Sequence, residues 1–413
     1  MQTNIISEFL QTPEGEEANS ILRSCVHCGF CNATCPTYQI RGDELDGPRG
    51  RIYLIKQILE GKPPGKQTQL HLDRCLTCRN CESTCPSGVQ YSQLLNIGRS
   101  IVNKKVSRSI NQRALHLLLR KMFLSRYTFS AILAAGQLFK PLLPASLSKN
   151  IPEKQKKIDF VPASQQRKIL LVAGCVQSNL KPNIDAAAKI VFDKLGIECI
   201  EEPAAGCCGS LSHHLNAEEE AIHIIKKNID SWWPLIQNKT IEAISMTASG
   251  CGVAVKEYEQ LLANDSDYAK KAKLISATYK DPAEVISAEI KTNTPATIKR
   301  LTDLKSPSKK NINVAFHPPC TLQHGMKLNN LIEPILSECG YTISTFKDKH
   351  MCCGSAGTYS ITQKALSQQL LSKKLNHINE VNPELIVTAN IGCQQHLQSG
   401  TTTPVKHWLE LFI

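Results

Sequence analysis

The sequence predicts an α + α/β architecture: an α-helical N-terminal module followed by two repeated α/β domains, each built on a parallel sheet. Three observations carry this prediction. Two cysteine runs of identical spacing lie in the first 100 residues, among helical but not alternating hydrophobic patterns. Beyond residue 167 strand-like and helix-like segments alternate, which implies parallel sheets. That alternation occurs twice, and Cys175 precedes Cys207 by the same 32 positions that separate Cys320 from Cys352.

The first run is Cys25-x2-Cys28-x2-Cys31-x3-Cys35-Pro36 and the second is Cys75-x2-Cys78-x2-Cys81-x3-Cys85-Pro86. This is the ligand run of bacterial two-cluster ferredoxins, in which three thiolates hold one [4Fe–4S] cube and the fourth crosses to the other. The expected groups are Cys25, Cys28, Cys31 and Cys85 on one cluster, and Cys75, Cys78, Cys81 and Cys35 on the second. A zinc ribbon would use two separated pairs of ligands, not four crowded cysteines twice over. Two adjacent clusters imply single-electron transfer.

In the spacer, Gly47-Pro48-Arg49-Gly50 signals a turn and Ile52 to Leu59 has helical periodicity. Arg49, Arg51 and Lys56 lie here, either on a solvated helix face or beside an anionic cluster. Residues 1–100 are thus expected to form an α-helical two-cluster domain.

Residues 101–166 read as a basic, amphipathic helical linker. Between Arg99 and Lys157 there are 13 Lys and Arg against the single acid Glu153, a surplus equal to the whole chain's net charge of +12. Charge so localised argues against a general nucleic-acid binder. Leu115, Leu118, Leu119 and Met122 fall at helical spacing among Arg113, Arg120, Lys121 and Arg126. A second apolar stretch runs from Phe129 to Phe139 and is closed by Pro141 and Pro144. Such helices suit either a partner subunit or an anionic membrane interface. No run of 18 apolar residues exists, so no membrane span is expected. Met1 to Leu10 lacks the pattern of a signal peptide. Thiolate clusters need a reducing compartment during assembly, so the expected location is the cytoplasm.

The first repeat (167–262) reads as a strand at 168–173, Cys175, a helix at 184–195, a strand at 197–201, Gly206-Cys207-Cys208-Gly209, a further helix, a strand at 241–247 and Gly250-Cys251-Gly252. The second (311–413) has strands at 312–316, 341–346 and 384–389, helices near 331–337 and 366–375, and Cys320, Cys352-Cys353-Gly354 and Cys393. The connector between them (263–310), with Pro282, Pro295 and Pro307, reads as partly helical and peripheral. In parallel sheets ligands gather at the carboxyl ends of strands, where these cysteines fall. A glycine after paired cysteines permits φ > 0, so both sulfurs can face one centre. Cys175, Cys207, Cys208 and Cys251, and Cys320, Cys352, Cys353 and Cys393, are therefore candidate ligands of further clusters. Cys199 and Cys339 do not align between the repeats and read as core. His213, His214, His324 and His350 lie near the same loops, and His317 stands out in His317-Pro318-Pro319-Cys320.

The stretch from Ser24 through the first run to Tyr38, and the string Gly42-Asp43-Glu44-Leu45-Asp46-Gly47-Pro48-Arg49-Gly50-Arg51, resemble the iron–sulfur subunits of bacterial glycolate oxidases. The repeats resemble the CCG domains of heterodisulfide reductases and of anaerobic glycerol-3-phosphate and lactate dehydrogenase subunits. The family pattern ends each repeat with Cys-x-x-Cys, but Ala248 and Asn390 replace its first cysteine here.

The resemblance implies an electron-transfer subunit of glycolate dehydrogenase. Flavin (FAD)-containing partner subunits would oxidise glycolate, or D-lactate, and a membrane quinone would accept the electrons from a peripheral position on the cytoplasmic face of the inner membrane. No Gly-x-Gly-x-x-Gly exists to hold a dinucleotide in this chain, and no catalytic residue for the hydroxy acid is expected on it. Two alternatives remain at this stage: another dehydrogenase's iron–sulfur subunit or a reductase with its own site in the repeats, and a metal-stapled nucleic-acid-binding protein.

Overall fold

The computed structural model describes residues 1–142, 153–304 and 312–413. Its first 105 residues are helical apart from turns. Pro13 and Pro48 open two of the helices, where the missing N–H is no loss, and Thr12 Oγ1 accepts from Gly15 N at 3.1 Å. The helices Pro13–Ser24, Pro48–Leu59 and Tyr91–Lys105 bury Leu22, Ile55, Leu59 and Leu94 completely. Gly98 lets Tyr91–Lys105 lie close against Pro48–Leu59: a Cβ there would lie 2.6 Å from Ile55 Cγ1.

The spacer arginines divide by burial. Arg51 is 1% exposed and donates to the His71 carbonyl at 2.8 Å. It lies 3.7 Å from Asp46, whose fully buried carboxylate also meets His71 (3.0 Å), Arg74 (2.9 Å) and Arg41 (3.2 Å). Arg49 instead pairs with Glu44, and Lys56 with Glu60. The glycolate-oxidase-like string is therefore largely a packing device that ties the spacer to the helix before the second run.

Two parallel sheets follow. The first has the order β2-β1-β3, with β1 Arg167–Leu171, β2 Ile197–Ile200 and β3 Ala243–Ser245. The second has the order β5-β4-β6-β7, with β4 Asn313–His317, β5 Thr342–Ser344, β6 Leu385–Thr388 and β7 Val405–His407. Ile169 pairs with both Cys199 and Ala243, as Val314 pairs with Ile343 and Leu385. The expected helices appear at Pro182–Lys194, Ile332–Glu338 and Lys364–Asn379.

Two details differ from the sequence reading. The edge strand β7 escaped it, because three residues after a turn carry too little alternation to register. The connector is not peripheral. Its helices Pro282–Thr292 and Thr294–Leu304 place Ala283, Ile286 and Leu301 wholly inside a core that also holds Ile169, Phe192, Val314 and Trp408. Tyr279 bridges Ile244 in parallel, so the connector flanks β3 as β7 flanks β6. Pro307 and Pro144 lie outside the described residues.

One core thus spans both repeats, with the carboxyl ends of the two sheets facing each other. Ser249 N donates to the Ala389 carbonyl at 3.3 Å, and His407 Nε2 lies 2.9 Å from the Thr247 carbonyl.

The basic segment folds as the helices Ile110–Phe123 and Arg126–Leu138, each capped by a serine whose Oγ accepts a backbone N–H at 3.3 Å. Leu119 and Phe129 turn inward, whereas Ile110, Leu117, Leu118, Tyr127, Leu138 and Phe139 are exposed. No helix among the described residues is long and apolar enough to cross a membrane.

Candidate functional site

The two N-terminal runs fold alike because the same positions take the left-handed conformation. His27 (φ 57°) and Gly29 (φ 84°) in the first run correspond to Thr77 (φ 53°) and Arg79 (φ 58°) in the second. Each such residue reverses the chain between thiols and aims successive sulfurs inward. Glycine adopts this conformation freely. For Arg79 it costs roughly 1–2 kcal/mol, and an ion pair with Glu257 of the first repeat holds the side chain.

The runs interlock. The thiols around Cys31 are those of Cys25, Cys85 and Cys28, while Cys81 is surrounded by Cys78, Cys75 and Cys35. Burial pushes the Cys31 thiol up to about 11, with its neighbours' charges adding to the effect. Four such thiols cannot ionise together without a compensating cation. Donors also converge on sulfur: Thr77 N lies 3.4 Å and Tyr91 Oη 3.6 Å from Cys75 Sγ, while Thr37 Oγ1, 3.2 Å from Cys35 Sγ, donates to the Asp46 carbonyl at 2.7 Å. Thiols converging in fours, with Cys25, Cys35 and Cys81 buried and with hydrogen-bond donors to sulfur, fit the protein's side of a [4Fe–4S] site.

The groups differ in access. Cys28 is exposed, between Val26 (67% exposed) and Phe30 (60%). Cys78 is partly buried against the second repeat, where Leu76 and Cys78 pack with Cys352, Tyr359 and Cys320. Ser83 Oγ and His324 Nδ1, 2.8 Å apart, lock the same contact.

Each repeat gathers its thiols in a row. Cys175 touches Cys207, which touches Cys208, which touches Cys251. Cys320 lies 4.0 Å from Cys352, which touches Cys353, which touches Cys393. The glycines after the paired cysteines are left-handed, Gly209 at φ 85° and Gly354 at φ 95°. Contact with Cys175 and Cys208 holds the Cys207 thiol well below the ordinary range, and contact with Cys320 and Cys353 does the same for Cys352. Hydrogen bonding from Cys353 takes Cys393 down to about 5. Cys199 and Cys339 lie in the common core. His214 is exposed, its ring 5.8 Å from that of His213.

Between the N-terminal module and both repeats lies a cavity of 430 Å³, lined by Cys78, Cys175, Cys251, Cys320, Cys352 and Cys393 among others. Sequence spacing could not reveal it, because it exists only through the packing of three separate segments. Of the residues beyond the thiols, Tyr91 and Tyr359 carried no sequence signal either. Their roles depend on where their hydroxyls end.

A 4Fe-4S dicluster domain profile matches residues 21–89, and a cysteine-rich domain profile matches 169–256 and 314–398. The chain is 48% identical over 412 residues to the glycolate oxidase iron-sulfur subunit of Escherichia coli K12, covering 100% of this chain and 98% of that one. It is 28% identical over 418 residues to the probable glycolate oxidase iron-sulfur subunit of Bacillus subtilis 168, covering 92% and 89%. A hypothetical protein from Helicobacter pylori shares the fold, with a TM-score of 0.53 at 8% identity over 98% of this chain and 72% of that one.

Proposed function

This chain belongs to the family of glycolate oxidase iron–sulfur subunits, and we propose that it carries electrons from a flavin-bearing partner that oxidises glycolate to glyoxylate. It has two [4Fe–4S] clusters. We assign one to Cys25, Cys28, Cys31 and Cys85 and the other to Cys75, Cys78, Cys81 and Cys35. When bound, the clusters supply one-electron transfer, the step a reduced flavin needs in an acceptor. The chain's own residues desolvate the sulfurs, donate hydrogen bonds to them and fix their separation.

The single observation that carries the direction of transfer is the place of Cys78. It faces Cys35 and Cys75 on one side and Cys352 on the other. The N-terminal module therefore abuts the second repeat's thiols, while Cys28 is exposed on the first group. In this reading the partner docks near Cys28, and the acceptor, a quinone, draws electrons from the side of the cavity. The four-thiol groups of the two repeats are proposed as further metal sites. Exposed Leu117, Leu118, Tyr127 and Leu138, among Arg113, Lys121 and Arg126, support peripheral contact with the cytoplasmic face of a membrane.

The test is anaerobic co-purification with the flavin subunits, then dye-linked assay with glycolate, D-lactate and glycerol 3-phosphate. About eight irons in the N-terminal module follow from the ligand count. Stoichiometric zinc with almost no iron would defeat the assignment, and preference for another substrate would redirect it. The cavity favours one second reading, in which the repeats themselves reduce a small substrate. Reduction of a disulfide by the dithionite-reduced chain without its flavin partner would support that reading instead.

A further inference from the structure

The two repeats correspond at the helix behind each thiol row, and there they differ in charge. A Cβ on Gly209 would lie 3.3 Å from the Ala221 carbonyl oxygen, and one on Gly354 would lie 2.7 Å from that of Ser367. The helix Glu218–Gln237 is therefore the counterpart of Lys364–Asn379. Asn228, seven residues after Ala221, matches Lys374, seven after Ser367.

Both side chains are buried, and both hold the loop that leads into the paired cysteines. Asn228 is 1% exposed, accepts from Gly206 N at 3.2 Å and donates to the Cys207 carbonyl at 2.8 Å. Lys374 is 2% exposed and donates to the Asp348 carbonyl at 2.6 Å and the Lys349 carbonyl at 3.3 Å. A neutral amide serves this purpose in the first repeat. The second repeat adds a charge.

A buried ammonium is costly without a counter-charge. Asp348 turns its carboxylate towards Lys373 (3.8 Å) and His377 (3.7 Å), and among the described residues Lys374 has no ion pair. Its charge acts on Cys353, Cys352 and Cys393, and Lys374 and Cys352 line one cleft with Pro36 and Met351. Burial brings the ammonium down to about 8, so it is still charged at neutral pH. On the same helix Leu371 and Leu375 pack with Cys353 and Cys393, and Lys373 Nζ donates to Gln39 at 2.8 Å. The cation is thus fixed where the N-terminal module meets the second thiol row.

We propose that Lys374 is the fixed counter-charge of the redox group in the second repeat and raises the potential of that group. A cation beside ligand sulfurs stabilises the more negative, reduced state. The row that abuts Cys78 is then poised to take an electron from the N-terminal module. One electron leaves the cluster assigned to Cys75, Cys78, Cys81 and Cys35, which is oxidised. It arrives in the second repeat, whose group is reduced, and no bond or proton moves. The inference rests on reading the second repeat's thiols as a metal site, but on neither the substrate nor the flavin partner.

The full-length chain, purified anaerobically with iron supplied, provides the test by redox titration followed with electron paramagnetic resonance. The signal that Cys353→Ser removes belongs to the second repeat's group. Lys374→Gln can still donate to the two carbonyls but carries no charge. At a fixed potential it should lower the reduced-to-oxidised ratio of that group roughly tenfold or more, which is about 59 mV for a one-electron couple. Lys374→Arg should keep the wild-type ratio, and the cluster assigned to Cys25, Cys28, Cys31 and Cys85 should be unmoved in both. Loss of the group from Lys374→Gln but not from Lys374→Arg would equally show that the charge is required. An unchanged ratio in Lys374→Gln, the same shift in Lys374→Arg, an equal shift in the Cys25 cluster, or loss of the group from both variants would overturn the proposal. Failure of the underlying reading would appear separately, as a wild-type chain with no signal beyond its two N-terminal clusters.

Discussion

The Tyr359 hydroxyl donates to the Arg74 carbonyl at 3.0 Å, joining residues 285 positions apart. Arg74 immediately precedes the second cysteine run and also binds Asp46 at 2.9 Å. This one bond therefore couples the second repeat to the charged hub of the N-terminal module. Tyr359→Phe keeps the ring in its apolar cluster and strands the carbonyl. We expect a loss of about 1 kcal/mol and faster amide exchange around residues 74–78. Unchanged exchange there would mean that the docking depends on the surrounding apolar contacts alone.

Tyr91 reaches Cys75 Sγ at 3.6 Å. A hydrogen bond to a ligand sulfur stabilises the more negative, reduced state of a cluster and raises its potential. Tyr91→Phe should lower one of two potentials, by about 40 mV if the bond contributes about 1 kcal/mol. Redox titration followed by electron paramagnetic resonance would read this. A shift in both potentials would point to a general change of packing.

The crossed grouping gives a sharper expectation. Cys35→Ser should perturb the signal of the cluster assigned to Cys75, Cys78 and Cys81, and Cys85→Ser that of the other. Damage confined to each serine's own run would mean that the runs act independently, contrary to the mutual placement of Cys31 and Cys85.

Most of this organisation was legible in the sequence because its signals were local. The spacing of Cys25 to Cys35, repeated from Cys75 to Cys85, needs no tertiary information, and the glycines at 209 and 354 announce their own conformation. The connector was misjudged for a physical reason. Ala283, Ile286 and Leu301 are separated by polar residues, and a narrow apolar stripe looks the same on a surface helix as on one wedged between two sheets. Arg51 was equally illegible, since a buried arginine is recognisable only once Asp46 and the His71 carbonyl stand beside it. The cavity depends on segments more than 70 residues apart, and no single stretch of the chain records it.

Asp281 caps the helix Pro282–Thr292 and accepts from Ala283 N at 2.9 Å. Burial nevertheless raises its carboxyl to about 7. A carboxyl with a folded pKa above its unfolded value holds its proton more tightly when folded. Its contribution to stability is thus complete below about pH 4 and is lost as the pH rises through about 7. Asp281→Asn keeps a good cap and cannot ionise. It should gain on the wild type as the pH rises from about 4 to about 7, by an amount on the order of 2–4 kcal/mol. Denaturation midpoints across that range would check it, and parallel pH curves would refute it.

The last expectation separates membrane from partner. Arg113, Lys121 and Arg126 lie on the two helices that expose Leu117, Leu118, Tyr127 and Leu138. Arg120 is excluded from the test because it lies 3.6 Å from Glu220, so changing it would probe the fold as well. Basic groups near an anionic surface contribute roughly 1 kcal/mol each, screened by salt. Reversing three charges to glutamate removes that attraction and adds repulsion, so sedimentation with anionic vesicles should fall by at least a hundredfold. Glycolate oxidation with a soluble dye should persist, while quinone-linked turnover should drop. A triple variant that still sediments but no longer retains the flavin subunit would assign these helices to subunit docking. The exposed leucines would then be covered by protein, and the membrane would be reached through another chain.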